Sequence, residues 1–163
     1  MFDGQTQSEK AQLQAQVAGE LAALQAAHDD GDRALAGRLG IGRTDLRCLD
    51  LIMRDGPQTA GALARKLRLT PGSVTALLDR LEAKGYASRA PDPTHGKRVL
   101  ITPTAHIVDL VTPILATRIA RGRARLNGYT ADELTLIRDF LAETRESHRV
   151  FAAELNEEGG GFH

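Results

Sequence analysis

Apolar residues recur three and four apart near both ends of the chain, while Gly, Pro and Thr cut the middle into short runs. Over residues 9–28, "EKAQLQAQVAGELAALQAAH", Leu13, Val17, Leu21 and Leu24 form one narrow stripe among Ala and Gln, which predicts a helix. That helix is too long for a small core alone and is expected to pack on another long helix, from this chain or a second one. "DDGD" at 29–32 interrupts the pattern, and "RALAGRLG" resumes it up to Gly40. Thr44 is placed to cap a helix running to Arg54, with Leu46, Leu49, Ile52 and Met53 inward and "DGP" at 55–57 as its stop. Thr59 then caps the short "AGALARKL", which stops near Arg68. Thr70 caps a third helix, with Pro71 at the favoured first position and Gly85 as terminator.

After Gly85 the period changes. "YASRA" and "KRVLIT" predict two short strands joined by "PDPTHG", a loop of turn formers. Thr102-Pro103 opens a helix with Ile107, Val108, Leu110, Val111, Ile114 and Leu115 inward, reaching toward Asn127-Gly128. Thr130 with Glu133 predicts a capping box for a last helix over 131–155. Its inward set is Leu134, Ile137, Phe140 or Leu141, Thr144 and Phe151, and the tail "NEEGGGFH" is expected to be disordered. The expected fold is mainly α with a small two-stranded β wing. A winged helix-turn-helix over 43–102 would lie between an N-terminal dimerisation helix and linker (1–42) and C-terminal dimerisation helices (103–156), with 157–163 as the tail.

The helix from Pro71 carries the first chemical hint. At 100° per residue Val74, Leu77, Leu78 and Leu81 share one side. Opposite them lie Gly72, Ala76, Asp79 and Ala83, flanked by Ser73, Thr75 and Arg80. Such a bare face lets a helix sink into the major groove of DNA, about 12 Å wide. The hydroxyls could donate to phosphates or bases, and Arg80 could grip backbone or guanine. The amides that Thr70 introduces would favour a phosphate. Asp79 has the wrong sign for a phosphate and needs an arginine partner, for instance on the hairpin, or a cytosine amine. Arg89, His95, Lys97 and Arg98 make that hairpin basic.

Charge sharpens this picture. The chain is neutral overall, but residues 43–98 carry eleven Lys/Arg against six Asp/Glu. Residues 1–42 carry three against six, and residues 99–163 carry seven against nine. A basic middle between acidic flanks suits a nucleic-acid module. The single Cys48 cannot form an internal disulfide and reads best as a small buried apolar residue. A polar N-terminus without signal-peptide order, and no apolar run of ~20 residues, point to a cytoplasmic chain with no membrane partner.

Other classes fit less well. No Ser/His/acid order, glycine-rich phosphate loop, HExxH or CxxC supports an enzyme. His106 and Asp109, one helical turn apart, could touch a metal in a metal-responsive regulator, but a full ligand set is missing. A winged helix serving only protein interaction is a further alternative. Arg118, Arg121, Arg123 and Arg125 read best as a solvated face or as dimer salt bridges.

The stretch "GPQTAGALARKLRLTPGSVTALLDRLEAKGYASRAPDPTHGKRVLITPTA" resembles the core of the MarR (multiple antibiotic resistance regulator) family of bacterial transcription factors. The likeness is carried by "LA..L.LT.GSVT.L.DRLE..GY..R..DP" at 63–93 and "V.IT" at 99–102, with "RLGIGRTDLRCLDLI" before them. It implies a homodimer built from the first helix and the last two, with helix 71–84 in a major groove and the wing 86–102 near a minor groove of a pseudo-palindromic operator. It further implies repression relieved by a small aromatic or anionic effector, with no cofactor. Carried over by position, Ser73, Thr75, Ala76 and Arg80 would face DNA, Thr59 would sit at a phosphate-contacting helix start, and Arg89 and Lys97 on the wing. The family commonly has Asp-Arg-Arg where this chain has His95, Gly96 and Lys97, with Arg98 following. The expected result is weaker minor-groove reading, with Lys97 and Arg98 giving unspecific phosphate attraction; His95 reads best as a solvated histidine, the alternative being a pH response of the wing. Ala62 stands where an acidic residue is usual, so the helix after Thr59 lacks a capping box.

Overall fold

The computed structural model describes residues 3–158, with side chains over 7–155. The order is α1 (Asp3–Leu39), α2 (Arg43–Arg54), β1 (Gln58–Thr59), α3 (Ala60–Leu67), α4 (Pro71–Ala83), β2 (Ala87–Pro91), β3 (Val99–Pro103), α5 (Ala105–Leu126) and α6 (Ala131–Glu158). Two compact units divide the chain at Val111–Thr112, within α5.

In the first unit the core is the set of apolar faces of α2, α3 and α4 closed by the sheet. Cys48, Leu49, Ile52, Leu63, Val74, Leu77, Leu78, Leu81, Ile101 and Ile107 are almost wholly buried. Burial pushes the Cys48 thiol up to about 11, with the nearby Asp45 charge adding to the effect. The inward set of α4 is the one its spacing predicts: Val74, Leu77, Leu78 and Leu81. On α2, by contrast, Asp45 and Leu51 are buried, whereas Leu46 and Met53 are only half-buried.

Helix ends follow local chemistry. Thr59 Oγ1 accepts from Ala62 N (3.2 Å), and Thr70 Oγ1 accepts from Ser73 N (3.2 Å). Gly85, at φ +69°, provides the left-handed residue after α4 that a side chain would resist. Thr130 and Glu133 form the expected capping box, the Thr130 amide donating to Glu133 Oε2 at 2.8 Å.

Several expectations are corrected. The "DDGD" break is absent: α1 runs through it as one helix of 37 residues. An interior Gly costs only about 1 kcal/mol, and the acids find partners, Asp30 with Arg33 and Asp29 with Arg43 (2.6 Å). Gly42, not Thr44, occupies the cap of α2, and the third-position Asp45 carboxylate accepts from the Gly42 amide (3.4 Å). The sheet has three strands, in the order β1–β3–β2, all antiparallel. Two residues, Gln58 and Thr59, pair with Ile101 and Leu100; a strand that short carries no periodicity to read. The return strand begins at Val99, so Lys97 and Arg98 lie in the loop. Pro103 ends β3, and Thr104 caps α5 by accepting from Ile107 N (3.3 Å).

In α5 only Ile107 and Val111 of the expected inward set are buried; Val108, Leu110, Ile114 and Leu115 are half-buried. In α6 Leu134, Ile137 and Thr144 are half-buried, while Phe140, Leu141 and Phe151 are exposed. Leu13, Val17 and Leu24 of α1 are exposed likewise. Helix α6 continues to Glu158, into the expected tail, whose residues 159–163 lie outside the described residues. No helix among the described residues is long and apolar enough to cross a membrane.

Candidate nucleic-acid interface

Helix α3, a tight turn and helix α4 form the centre of the site. The turn is set by Arg68, which adopts a left-handed conformation (φ 55°) and whose amide donates to Arg65 O. The apolar face of α4 is fixed by its four buried residues, which turns Gly72, Ser73, Thr75, Ala76, Asp79 and Arg80 outward. A Cβ at Gly72 would meet open space beyond the helix's own backbone. The three hydroxyls at the start of α4 are tied locally: Thr70 Oγ1 lies 2.9 Å from Ser73 Oγ, and Thr75 Oγ1 donates to Pro71 O (3.0 Å). Hydroxyl oxygens held by such short-range bonds sit in fixed positions and keep lone pairs for a new donor.

Arg80 and Arg89, both expected to face DNA, are engaged inside the protein. Arg80 reaches across to α2, where its Nη2 and Nε donate to Asp45 Oδ1 and Oδ2 at 2.7 and 3.3 Å. The Asp45 side chain is 6% exposed and that of Arg80 57%, so a buried carboxylate is neutralised from the rim. The bonds to Asp45 raise the Arg80 guanidinium above its ordinary pKa. Arg89 reaches from β2 to α4, donating through Nη2 to Asp79 Oδ1 (2.9 Å) and through Nη1 to Glu82. Of the partners open to Asp79, the one it meets within the chain is the hairpin's Arg89.

The remaining predicted residues are placed differently. Thr59 ends β1 and is half-buried, its hydroxyl engaged by the Ala62 amide. Lys97 and Arg98 are exposed on the wing loop. That loop is organised by Asp92, a buried carboxylate whose Oδ1 accepts from Thr94 N, Thr94 Oγ1 and His95 N at 2.9, 2.7 and 3.2 Å. The Thr94 hydroxyl first, then its amide, hold the Asp92 carboxyl below its ordinary range. His95 Nδ1 lies 3.0 Å from Thr94 Oγ1 and 3.8 Å from Asp92 Oδ2. The wing thus takes its order from Asp92 rather than from an acid at position 95.

Sequence reading missed Asp45 and Asp92 as organising groups. Asp45 lies four and seven residues before Leu49 and Ile52, on the apolar face of α2, and a carboxylate there demands a partner. Asp92, followed by Pro and Thr, had the composition of a turn closed by a side chain. His106 faces the Tyr86 ring, centroids 5.9 Å apart, and among the described residues no three potential metal ligands converge.

A surface cleft of about 580 Å³ opens in the same unit between the α1–α2 turn and the end of α4. Ile41, Arg43, Asp45, Arg80 and Lys84 are among its lining residues.

A helix-turn-helix closed by a basic wing defines the class: a winged-helix module of the kind found in DNA-binding transcriptional regulators. The comparisons make this specific. The family model described as MarR family matches residues 39–98. The HTH-type transcriptional regulator YcgE of Bacillus subtilis (strain 168) is 41% identical over 118 residues, which is 70% of this chain and 74% of its own. YusO from Bacillus subtilis superposes with a TM-score of 0.59 at 21% identity, covering 83% of this chain and 96% of its own. NadR, solved in complex with 4-hydroxyphenylacetate, gives 0.56 at 24% identity, covering 77% and 89%. The chain belongs to the MarR family of helix-turn-helix transcriptional regulators.

Proposed function

We propose that this chain is a homodimeric repressor, acting in the cytoplasm, that reads a pseudo-palindromic operator and releases it on binding a small aromatic or anionic effector. One observation carries the reading: the N-terminal half of α4 turns only small and hydroxyl-bearing residues outward, on a helix pinned from behind by four buried side chains. In this reading Ser73, Thr75 and Ala76 face the major groove. Thr59 and Thr70 mark helix starts directed at phosphates, and Lys97 and Arg98 attract the backbone beside the minor groove. Arg80, tethered but more than half exposed, adds positive charge at the groove edge.

Residues 1–42 and 103–156 serve as the dimerisation segments. The uncovered Leu13, Val17 and Leu24 of α1, and Phe140, Leu141 and Phe151 of α6, are the apolar surface a second copy would cover. The effector proposal rests on the cleft beside Arg80, which has the size of a small-molecule site, and on the aromatic acid in the NadR structure.

The test is Ala76→Glu, which puts bulk and negative charge on the outward face without touching the core. Operator affinity should fall by about tenfold or more with the unfolding transition unchanged. Unaltered affinity would remove α4 from the groove.

A further inference from the structure

We infer that Arg89 is a positioning residue: it masks two carboxylates of the recognition helix and ties the wing to that helix, instead of contacting DNA itself. The inference rests on the reading of α4 and the wing as the DNA-contacting elements. Asp79 and Glu82 are three residues apart on α4 and so lie on one face, a helical turn from each other. The Arg89 fork, rising from the middle of β2 where Arg89 pairs with Ile101 of β3, spans that turn. One nitrogen donates to Asp79 Oδ1 at 2.9 Å and the other to Glu82.

Charge decides between the two roles. If Arg89 turned to a phosphate, it would gain one attractive contact and leave two carboxylates unpaired, one of them the 60% exposed Asp79, facing a polyanion. With Arg89 in place those acids are partly neutralised. Its side chain is only 33% exposed, as expected of a group covered by its partners. The planar guanidinium satisfies two carboxylates at once, which a lysine's point charge would do less well. The same bonds hold strand β2 against α4, so helix and wing meet DNA in a fixed relation. Asp79 in turn is a partner of the wing, not a reader of cytosine.

The experiment measures affinity for a selected operator duplex across salt concentrations, in the full-length protein. Arg89→Gln alone should weaken binding by on the order of tenfold, because the two acids are uncovered. Combining Arg89→Gln with Asp79→Asn and Glu82→Gln replaces the ion pairs by amides. It should return affinity to within about threefold of the wild type, with the slope of log affinity against log salt unchanged. A triple variant as weak as the single one, with a slope shallower by about 0.9, would make Arg89 a phosphate contact and overturn the inference.

Thermal unfolding without DNA supplies the independent arm. Arg89→Gln and Asp79→Asn should each lower the midpoint, and the pair should lower it by less than their sum; strict additivity would overturn the strut. Coupled unfolding together with operator affinities indifferent to all three variants would leave the strut standing and instead overturn the role of α4 and the wing at DNA.

Discussion

Leu63, Val74, Leu77, Leu78 and Leu81 of the winged module are each at most 1% exposed, whereas Leu136, Phe140, Leu141, Val150 and Phe151 of α6 stand between 40% and 71% exposed. Both sets are large apolar side chains on amphipathic helices. The difference lies in what surrounds them. The module interleaves three short helices with a three-stranded sheet, so the apolar faces of α2, α3 and α4 close on one another and on the sheet. Helix α6 and much of α1 are long helices whose apolar residues exceed what this chain covers. A hydrophobic stripe therefore tells which face seeks cover, but not whether the same chain provides it.

The largest effects are expected from cutting one apolar side chain in each region. Leu81→Ala should cost about 2–5 kcal/mol in denaturant unfolding, because a sealed site keeps the cavity. Phe140→Ser should shift sedimentation toward monomer and lower the unfolding midpoint only through that dissociation, so that the loss shrinks as protein concentration rises; a loss of stability without dissociation would place Phe140 in a core of its own chain.

Next comes the wing. A Cβ added at Gly96 meets nothing beyond its chain neighbours within 4 Å, and the backbone there is not left-handed, so the position accepts a side chain without strain. Gly96→Arg should tighten operator binding by on the order of tenfold by restoring a cation that can enter the minor groove. Unchanged affinity would contradict the account of the missing arginine.

A smaller effect is expected at the start of α4. Thr70→Ala removes the oxygen that accepts the Ser73 amide and should destabilise the module by about 1 kcal/mol, read as a lowered unfolding midpoint. Smallest is the acid response of the wing. The folded Asp92 carboxyl titrates below its ordinary 3.8, so its contribution to stability is present above that value and is lost as pH falls through the lower folded one. Asp92→Asn should remove this part of the acid dependence, measured as unfolding midpoint against pH below about 4.

How much of this was legible in the sequence follows the same division. The core face of α4, the caps at Thr59, Thr70 and Thr130 and the stop at Gly85 are local events, decided within a helical turn, and reading them needs no partner. The Asp45–Arg80 and Arg89–Asp79 pairs join residues 35 and 10 positions apart, and periodicity says which residues face outward, not which outward residues meet. Strand β1 is two residues long and exists only because β3 offers an open edge. The continuous α1 shows the opposite error: "DDGD" reads as a break because Asp and Gly are poor helix formers, yet one ion pair to Arg43 and one within the helix hold it. The outward-facing residues of α4 were thus found by local rules, whereas the carboxylate that holds Arg80, 35 positions away on α2, was not.

The most direct test of the central claim is selection of bound duplexes from a random DNA pool, followed by the affinity of the selected site across salt concentrations. A dimeric operator-binding protein should select a two-fold site with half-sites about one helical turn apart, with an affinity falling steeply with salt as several phosphates are neutralised. Failure of any sequence to be enriched, with weak and salt-insensitive binding throughout, would contradict that claim.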